Sequence, residues 1–373
     1  MHRGFKTKIY PTEEQKKYFD KCFGVARFAY NWYLEKNKHY FELGIKKKIK
    51  EYLKEFNSQR TFEFPFVLKV NNRVYGFGIR NANIALERFF KKTSKYPKFK
   101  TKKDHIQSFQ TDRYLLLDSN IFHIAKANKI GGCGNDLSKT GYQIKTSEDI
   151  SFLKGKNVFK ITISFNGNEY FAGFSYNDNT VFKNNKKKTI GIDLGIKTFA
   201  TQSDNRISKL PKQKIIKLEK KINVLQRVLS KKQKDSNNYK KARIKLNKYY
   251  RKITNIRQDF LHKYTTWLAK NYKTIKIEDL NIQGMLKNRR LAKAIARNNF
   301  SDFRNKLTYK CSWYDSSLVI VDRFFASSKT CSQCGNKKEI LKLSERIYVC
   351  KKCGLTIDRD LNAAINIANW QLN

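Results

Sequence analysis

Apolar and polar positions divide the chain into recognisable periods. Lys6–Tyr10 alternates like an edge strand, and Pro11-Thr-Glu-Glu-Gln15 supplies a helix start with Thr12 and Gln15 at capping-box spacing. Phe19, Phe23, Ala26, Tyr30 and Tyr33 then recur at three and four, a helical core stripe with Lys16, Lys17, Lys21 and Arg27 on the other faces. Residues 46–54 are lysine-rich and read as exposed. A further helical pattern runs from about Arg80 through Ile84, Leu86 and Phe89 to Lys92. From about 106 to 182 the pattern is one of short alternating strands, clearest in Val158–Phe165 and Tyr170–Ser175, joined through the turn pair Asn166-Gly167. This half predicts a β-barrel or sheet with a helical insertion.

Asn184–Lys188 is polar and charged, the best candidate for a domain boundary. Beyond it the order is strand, long helices, strand, helix, strand. Ile215, Leu218, Ile222, Leu225 and Leu229 are spaced three and four, as are Leu246, Tyr249, Ile253, Ile256 and Phe260. Two long helices packed as a hairpin follow, turning near Asp235–Asn238.

Composition narrows the partner. The 373 residues suit two or three domains, and 79 Lys+Arg against 31 Asp+Glu leave a net charge of +48. Such a surplus repels itself unless a polyanion neutralises it, which points to nucleic acid. A hydrophobic fraction of 40% with only 17 Gly and 4 Pro excludes a disordered basic tail. No apolar stretch is long enough for a membrane span, and the reading is a cytoplasmic protein without a membrane partner. The Lys- and Arg-dense outward faces of the long hairpin either line a nucleic-acid channel or keep the hairpin soluble. Tyr96-Pro-Lys-Phe-Lys-Thr-Lys-Lys103 interleaves aromatics with cations; it can stack on bases while neutralising phosphates, or form a solvated loop with snorkelling lysines.

Cys22, Cys133 and Cys311 are scattered singly, whereas Cys331, Cys334, Cys350 and Cys353 form C-x2-C-x15-C-x2-C. Two residues between thiolates make a knuckle that can place both sulfurs on one tetrahedral ion, which favours structural Zn2+ over a redox or iron–sulfur site. Gly335 and Gly354 each follow the second cysteine of a knuckle. Three acids sit at element ends: Asp193 on a buried-looking strand, Glu278 ending Thr274–Glu278, and Asp360 where a helix begins. Singly they read as a turn residue, a surface carboxylate and an N-cap. Together they resemble an RNase H-like nuclease core, in which three oxygen donors hold two Mg2+ about 4 Å apart, Asp193 bridging them.

Ile190–Gly195, Lys276–Leu280, Asp322–Gly335 and Asp358–Ala364 resemble the TnpB proteins of insertion sequences, relatives of type V CRISPR effectors. Tyr10–Gln15, Arg27–Trp32 and Tyr96–Lys103 match the N-terminal half of that family less specifically. The resemblance implies a multidomain α/β protein. Its parts would be a wedge-like β-barrel (residues 1–10 and 95–185), a helical recognition insert (11–94), a RuvC-type RNase H-like nuclease (186–322 and 354–373) and a zinc-ribbon insertion (323–353). It implies an RNA-guided DNA endonuclease of a transposable element, acting as one chain on a guide RNA from the transposon end. Its target would be double-stranded DNA beside a short adjacent motif. The catalytic triad carries over onto Asp193, Glu278 and Asp360; Asp360 is preferred to Asp358 because Leu-Asn-Ala follows it, as x-Asn-Ala follows the family's third acid. Ala326 stands where the family often has Pro. Arg27, Tyr96, Lys98, Phe99, Lys100, Lys102, Lys103, Arg323, Ser328 and Lys329 are the expected nucleic-acid contacts. The rival readings are an unguided resolvase-type nuclease and a non-cleaving zinc-ribbon regulator.

Overall fold

A computed structural model describes residues 1–104, 106–126, 141–178, 180, 182, 188–234, 236–342 and 344–371. Cys133, Asp235 and residues 184–187 of the expected boundary lie outside the described residues. The chain divides into two compact units, Met1–Asn179 and Thr180–Asn373.

In the first unit, β1 (His2–Ile9), β2 (Gln107–Thr111), β6 (Asn157–Phe165) and β7 (Tyr170–Asn177) form an antiparallel sheet in the order β1-β7-β6-β2. β1 is indeed an edge strand, four residues longer at its start than the alternation suggests. A second antiparallel sheet joins β3 (Tyr114–Asp118), β4 (Ile121–Ala125) and β5 (Gly141–Lys145), and a bridge between Ile9 and Thr146 links the two. The β6–β7 hairpin turns through Gly167 at φ +86°, a conformation open to glycine.

Helix α1 (Glu13–Glu42) opens with the expected capping box: Gln15 N–H donates to Thr12 Oγ1 at 3.3 Å and Thr12 N–H to Gln15 Oε1 at 3.0 Å. The lysine-rich stretch is not merely an exposed segment. It enters α2 (Ile49–Gln59), whose Tyr52 and Phe56, one turn apart, are buried against Tyr33 and Trp32 of α1 at ring distances of 4.6 and 4.9 Å. α3 starts at Asn72, under an Asn71 cap, and runs to Phe90, so it is longer than its apolar period indicates.

The second unit is built on a five-stranded sheet in the order β10-β9-β8-β11-β12, with β8 (Thr189–Leu194), β11 (Thr274–Glu278) and β12 (Ser317–Val321) parallel. β9 (Ala200–Gln202) and β10 (Ile207–Ser208) run antiparallel at one edge. α4 (Lys212–Ser230) and α5 (Asn237–Asn271) pack as the expected hairpin, burying Ile215, Ile222, Leu246 and Ile253. Between β11 and β12 come not one helix but three: α6 (Ile282–Leu286), α7 (Arg289–Asn298) and α8 (Phe300–Trp313). Asn299, left-handed at φ +55°, separates the last two. Arg297 of α7 forks onto Glu219 of α4 at 2.6–3.2 Å, fixing α7 to the hairpin. A small hairpin of β13 (Ile347–Val349) and β14 (Thr356–Asp358) leads into α9 (Arg359–Asn369).

Candidate active site

The parallel strands set the geometry. Ile192 of β8 lies opposite Ile277 of β11. Asp193 and Glu278, each one residue on, therefore emerge together at the carboxyl ends of neighbouring strands, where open α/β sheets place their sites.

Asp360 arrives by a different route. Gly191 faces α9 so closely that a Cβ there would lie 2.9 Å from Ala368 Cα and nearer still to the Ala364 carbonyl oxygen. Only glycine permits this approach. Asp193 shares a strand face with Gly191, and Asp360 sits one turn before Ala364, so the contact brings the two acids to one end of the helix–strand pair. The other end of α9 is fixed by Lys276 Nζ, which donates to Ala368 O at 2.7 Å and Trp370 O at 2.5 Å. Capping falls to Asp358 and not, as the single-residue reading of Asp360 had it, to Asp360. The Asp358 Oδ1 accepts from the N–H groups of Asp360 and Leu361 at 2.9 and 3.0 Å, which leaves the Asp360 carboxylate uncommitted to the helix end.

Electrostatics couple the three acids. Burial pushes the Asp193 carboxyl up to about 8, and the like charges of Glu278 and then Asp360 add to it, against a smaller opposing pull from Arg359. Burial, then Asp358, raises Asp360. Among the described residues none of the three acids is in an ion pair, although Arg359 acts on Asp193, and Arg346, Arg359 and Lys197 act on Asp360, from farther away; the three offer hard oxygen donors. That donor set suits a divalent cation.

A loop from Asp322 to Thr330 closes over Glu278. Ser327, buried, donates its hydroxyl to Glu278 Oε1. Asn366 of α9 holds the loop by donating to Ser327 O at 2.7 Å and Thr330 O at 2.6 Å, and Asn362 donates to Thr330 O at 2.7 Å. Asp279 anchors the other end, accepting from Arg323 at 2.5 Å and Arg304 at 2.8 Å; the Arg323 bond above all holds its carboxyl below the usual range. Between the anchors Phe324 stands 90% exposed beside a 440 Å³ recess lined by Asp279, Arg304 and Arg323. Sequence reasoning named Ser328 and missed Ser327; two adjacent serines in a loop have no period to separate them.

The cysteines form two matching knuckles. Gly335 N–H donates to Cys331 O and Gly354 N–H to Cys350 O, both at 3.0 Å, with the glycines at φ +72° and +76°. All four ligand atoms lie within 4.8 Å of one another, and the pairs Cys331–Cys353 and Cys334–Cys350 are 3.6 Å apart at sulfur. Tetrahedral zinc with Zn–S bonds of about 2.3 Å needs sulfurs about 3.8 Å apart, so the cage fits a four-thiolate metal ion. Tyr348, fully buried, fills the floor. The hairpin partner of β13 is β14, so the module continues past Cys353 to Asp358. Cys22 and Cys311 are buried apart from this cluster, Cys22 in the first unit and Cys311 in the second.

The expected nucleic-acid contacts differ in their surroundings. Lys98, Phe99, Lys102 and Lys103 are exposed, and Tyr96 is exposed with its ring edge-on to Phe89 at 5.2 Å. Lys100 holds its ammonium 4.0 Å over the Tyr30 ring, its backbone tied to Asn31. Arg27 donates to Gln107 at 2.7 Å. Arg323 is engaged with Asp279, Lys329 Nζ donates to Glu339 O at 2.8 Å, and Ser328 is half-buried beside Ser327.

Three family descriptions match the chain: "Probable transposase" of the OrfB type over residues 175–289, "Cas12f1-like, TNB domain" over 300–367 and "Helix-turn-helix domain" over 1–46. Residues 1–46 here hold β1 and the single unbroken helix α1. A "Putative RNA-guided DNA endonuclease" of Streptomyces pristinaespiralis is 32% identical, covering 98% of this chain and 89% of its own length. A relative of the same description from Escherichia coli K12, InsQ, is 26% identical over 98% and 91%. Among solved structures, a Cas12f1–sgRNA–target DNA complex has the same fold at a TM-score of 0.64 and 16% identity, covering 96% of this chain and 83% of that one. The described helices include none long and apolar enough to cross a membrane.

Proposed function

This chain belongs to the TnpB-like, OrfB-type family, and from that premise we propose that it is an RNA-guided, metal-dependent DNA endonuclease of a transposable element. What supports the reading is that Asp193 and Glu278 follow paired residues on neighbouring parallel strands, that Gly191 packs on α9 one turn after Asp360, and that Asp193 is electrostatically coupled to both other acids. The net charge of +48 supports a polyanionic partner, and the relatives' descriptions support guide RNA and target DNA.

In this reading the second unit is the RuvC-type nuclease with its zinc-ribbon insertion, and the first carries the wedge barrel and helical recognition insert. Asp193, Glu278 and Asp360 hold Mg2+. Bound there, the ions supply Lewis acidity toward the phosphodiester and lower the pKa of water to make a nucleophile. The protein's own contribution is positioning. Ser327 commits one Glu278 oxygen and fixes that side chain, Asp358 relieves Asp360 of capping, and Lys276 with Gly191 holds α9 in register. Zn2+ at the four cysteines stabilises the fold of the loop that carries Ser327. Base pairing by the RNA reads the target, while protein contacts read the adjacent motif, the division of labour of guided nucleases.

The test is to purify the chain with its copurifying RNA, sequence that RNA, and offer a plasmid bearing the matching target in Mg2+. Cleavage that needs both the RNA and the divalent ion is expected, and Asp193→Ala abolishes it. RNA-free protein that cuts branched DNA would instead establish the resolvase reading. An Asp193→Ala protein with every activity intact would leave only a binding module.

A further inference from the structure

The loop that closes over Glu278 is pinned along most of its length, and one large side chain in it is left out. Arg323 donates to Asp279 O through Nε at 3.2 Å and to Asp279 Oδ2 through Nη2 at 2.5 Å. Asp322 turns the chain next to it: Oδ1 accepts from Phe324 N–H at 2.6 Å and the main-chain oxygen from Phe325 N–H at 3.1 Å. Ser327 then bonds to Glu278. Of the two phenylalanines in this turn, Phe325 is half-buried, whereas Phe324 is 90% exposed, the most exposed large apolar side chain among the described residues. Among those residues no other ring and no cation engages the Phe324 ring.

A lone apolar residue on a surface is ordinary. Phe324 differs in that the backbone on both sides is held by bonds to Asp279 and Glu278, so the fold itself keeps the ring in water beside the three acids. Its surroundings say what covers it. A protein or membrane partner needs a contiguous apolar patch of several hundred Å². Phe324 instead stands beside exposed Asp322 and Arg323, with Asp279 and Arg304 also lining the 440 Å³ recess. Two acids and two bases balance, so the recess is not a phosphate site either. What it suits is a flat, uncharged group with apolar faces and hydrogen-bonding edges, and a nucleobase is such a group.

We propose that Phe324 stacks on one unpaired base of the target DNA strand being cut and so steadies that strand at the three-acid site. Phe324 is three residues from Ser327, at most about 11 Å between Cα atoms, which places the base within a few nucleotides of the phosphate at Glu278. The proposal deepens the nuclease reading above and rests on it.

Single-turnover cleavage by the full chain with its copurified RNA tests it. The targets are intact matching DNA and a set in which one nucleotide at a time around the cut, in either strand, is abasic. Phe324→Ala should cut the intact target about five- to a hundredfold more slowly, at an unchanged melting temperature because the ring buries almost nothing. Phe324→Trp should cut as fast as the parent, and Phe324→Leu, apolar but without a π face, should behave as the alanine variant does. One abasic position should slow the parent to the same extent while slowing Phe324→Ala no further, and that position identifies the stacked base and its strand. Three results would overturn the proposal: a full rate in Phe324→Ala, a full rate in Phe324→Leu, or a loss in Phe324→Ala that adds to the loss at every abasic position. In each of them the parent still cuts and the guided-nuclease reading stands. A parent that cuts no matching target would bring down that reading and this proposal with it.

Discussion

Asp193 and Glu278 stand side by side because the residues before them, Ile192 and Ile277, are register partners on parallel strands. Ionising both carboxylates so placed, with Asp360 near and burial around Asp193, is costly when no cation is present, and Asp193 holds a proton up to about pH 8 instead. Replacing Asp193 with Asn should therefore act in opposite directions on activity and stability. Cleavage should fall about 10⁴-fold or more. In a chelating buffer the melting temperature should rise, by about 2–4 °C for each kcal/mol of repulsion relieved. Calorimetry with and without EDTA checks this, and a variant less stable than the parent in EDTA would contradict the crowded-carboxylate picture.

Ser327 and Ser328 are neighbours in sequence with different duties. The Ser327 hydroxyl is spent on Glu278, whereas Ser328 makes no such bond to it. Loss of a group that orients a metal-binding carboxylate costs about 10–100-fold in activity. Ser327→Ala should lower the single-turnover cleavage rate to that extent with target binding unchanged, and Ser328→Ala should change it little. Equal losses in the two variants would mean that the loop, not the hydroxyl, is what matters.

With zinc bound as proposed, the knuckles should depend on it. Each buries few apolar groups, with Tyr348 the main floor residue, so a bound metal would supply most of the folding free energy of this module, on the order of 10 kcal/mol. One zinc per chain is expected by atomic absorption. Cys350→Ser should abolish it and expose residues 331–358 to hydrogen exchange. Because Asn362 and Asn366 hang the Ser327 loop from α9 next to the first knuckle, cleavage should fall with the zinc. Protection of the first unit should not change.

Much of this arrangement can be read from the sequence, and the part that cannot has definite causes. The α1 cap, the long hairpin, the knuckles and the three acidic element ends rest on local spacing, which survives without knowledge of neighbours. α2 does not: its buried stripe is two aromatics among lysines, too few to make a period, and only the facing Trp32 and Tyr33 reveal it. The division of labour between Asp358 and Asp360 turns on which carboxylate meets the α9 amides. The role of Ser327 depends on Asn366, distant in sequence, pulling its carbonyl inward.

Lys310 offers a pH signature independent of the metal sites. It is 3% exposed on α8, and its ammonium donates to His262 O, Thr265 Oγ1 and Thr266 Oγ1 at 2.6–2.9 Å, joining α8 to α5. Burial, helped by Lys306, lowers it to about 8 from an ordinary 10.5. Below pH 8 the group is charged in both folded and unfolded chains, so the cost of burying the charge is fully present. Between 8 and 10.5 the unfolded chain keeps a proton that the folded chain releases, and stability rises with pH. Lys310→Met lacks this linkage. Parent stability minus variant stability should therefore shift in favour of the parent from pH 8 to 10.5 in denaturant titrations, and a flat difference would show that Lys310 titrates as an exposed lysine does.

Gly191 is where one missing side chain decides the site. Its Cβ position is occupied by backbone of α9, which cannot swing aside as a flexible side chain can. Overpacking costs about 1–3 kcal/mol in a core, and a clash with two main-chain segments belongs at the upper end or beyond. Gly191→Ala should lower the melting temperature, but the more telling result is catalytic. To admit the methyl, α9 must move off β8, and Asp360 moves with it while Asp193 and Glu278 stay fixed by strand pairing. Cleavage should therefore fall well beyond the loss of folded protein, measured on the fraction that remains native by circular dichroism. Its Mg2+ requirement should shift to higher concentration, because on the proposed site Asp360 would no longer stand with the other two carboxylates. A Gly191→Ala enzyme with normal metal dependence would mean that Asp360 reaches the site by some constraint other than the helix contact.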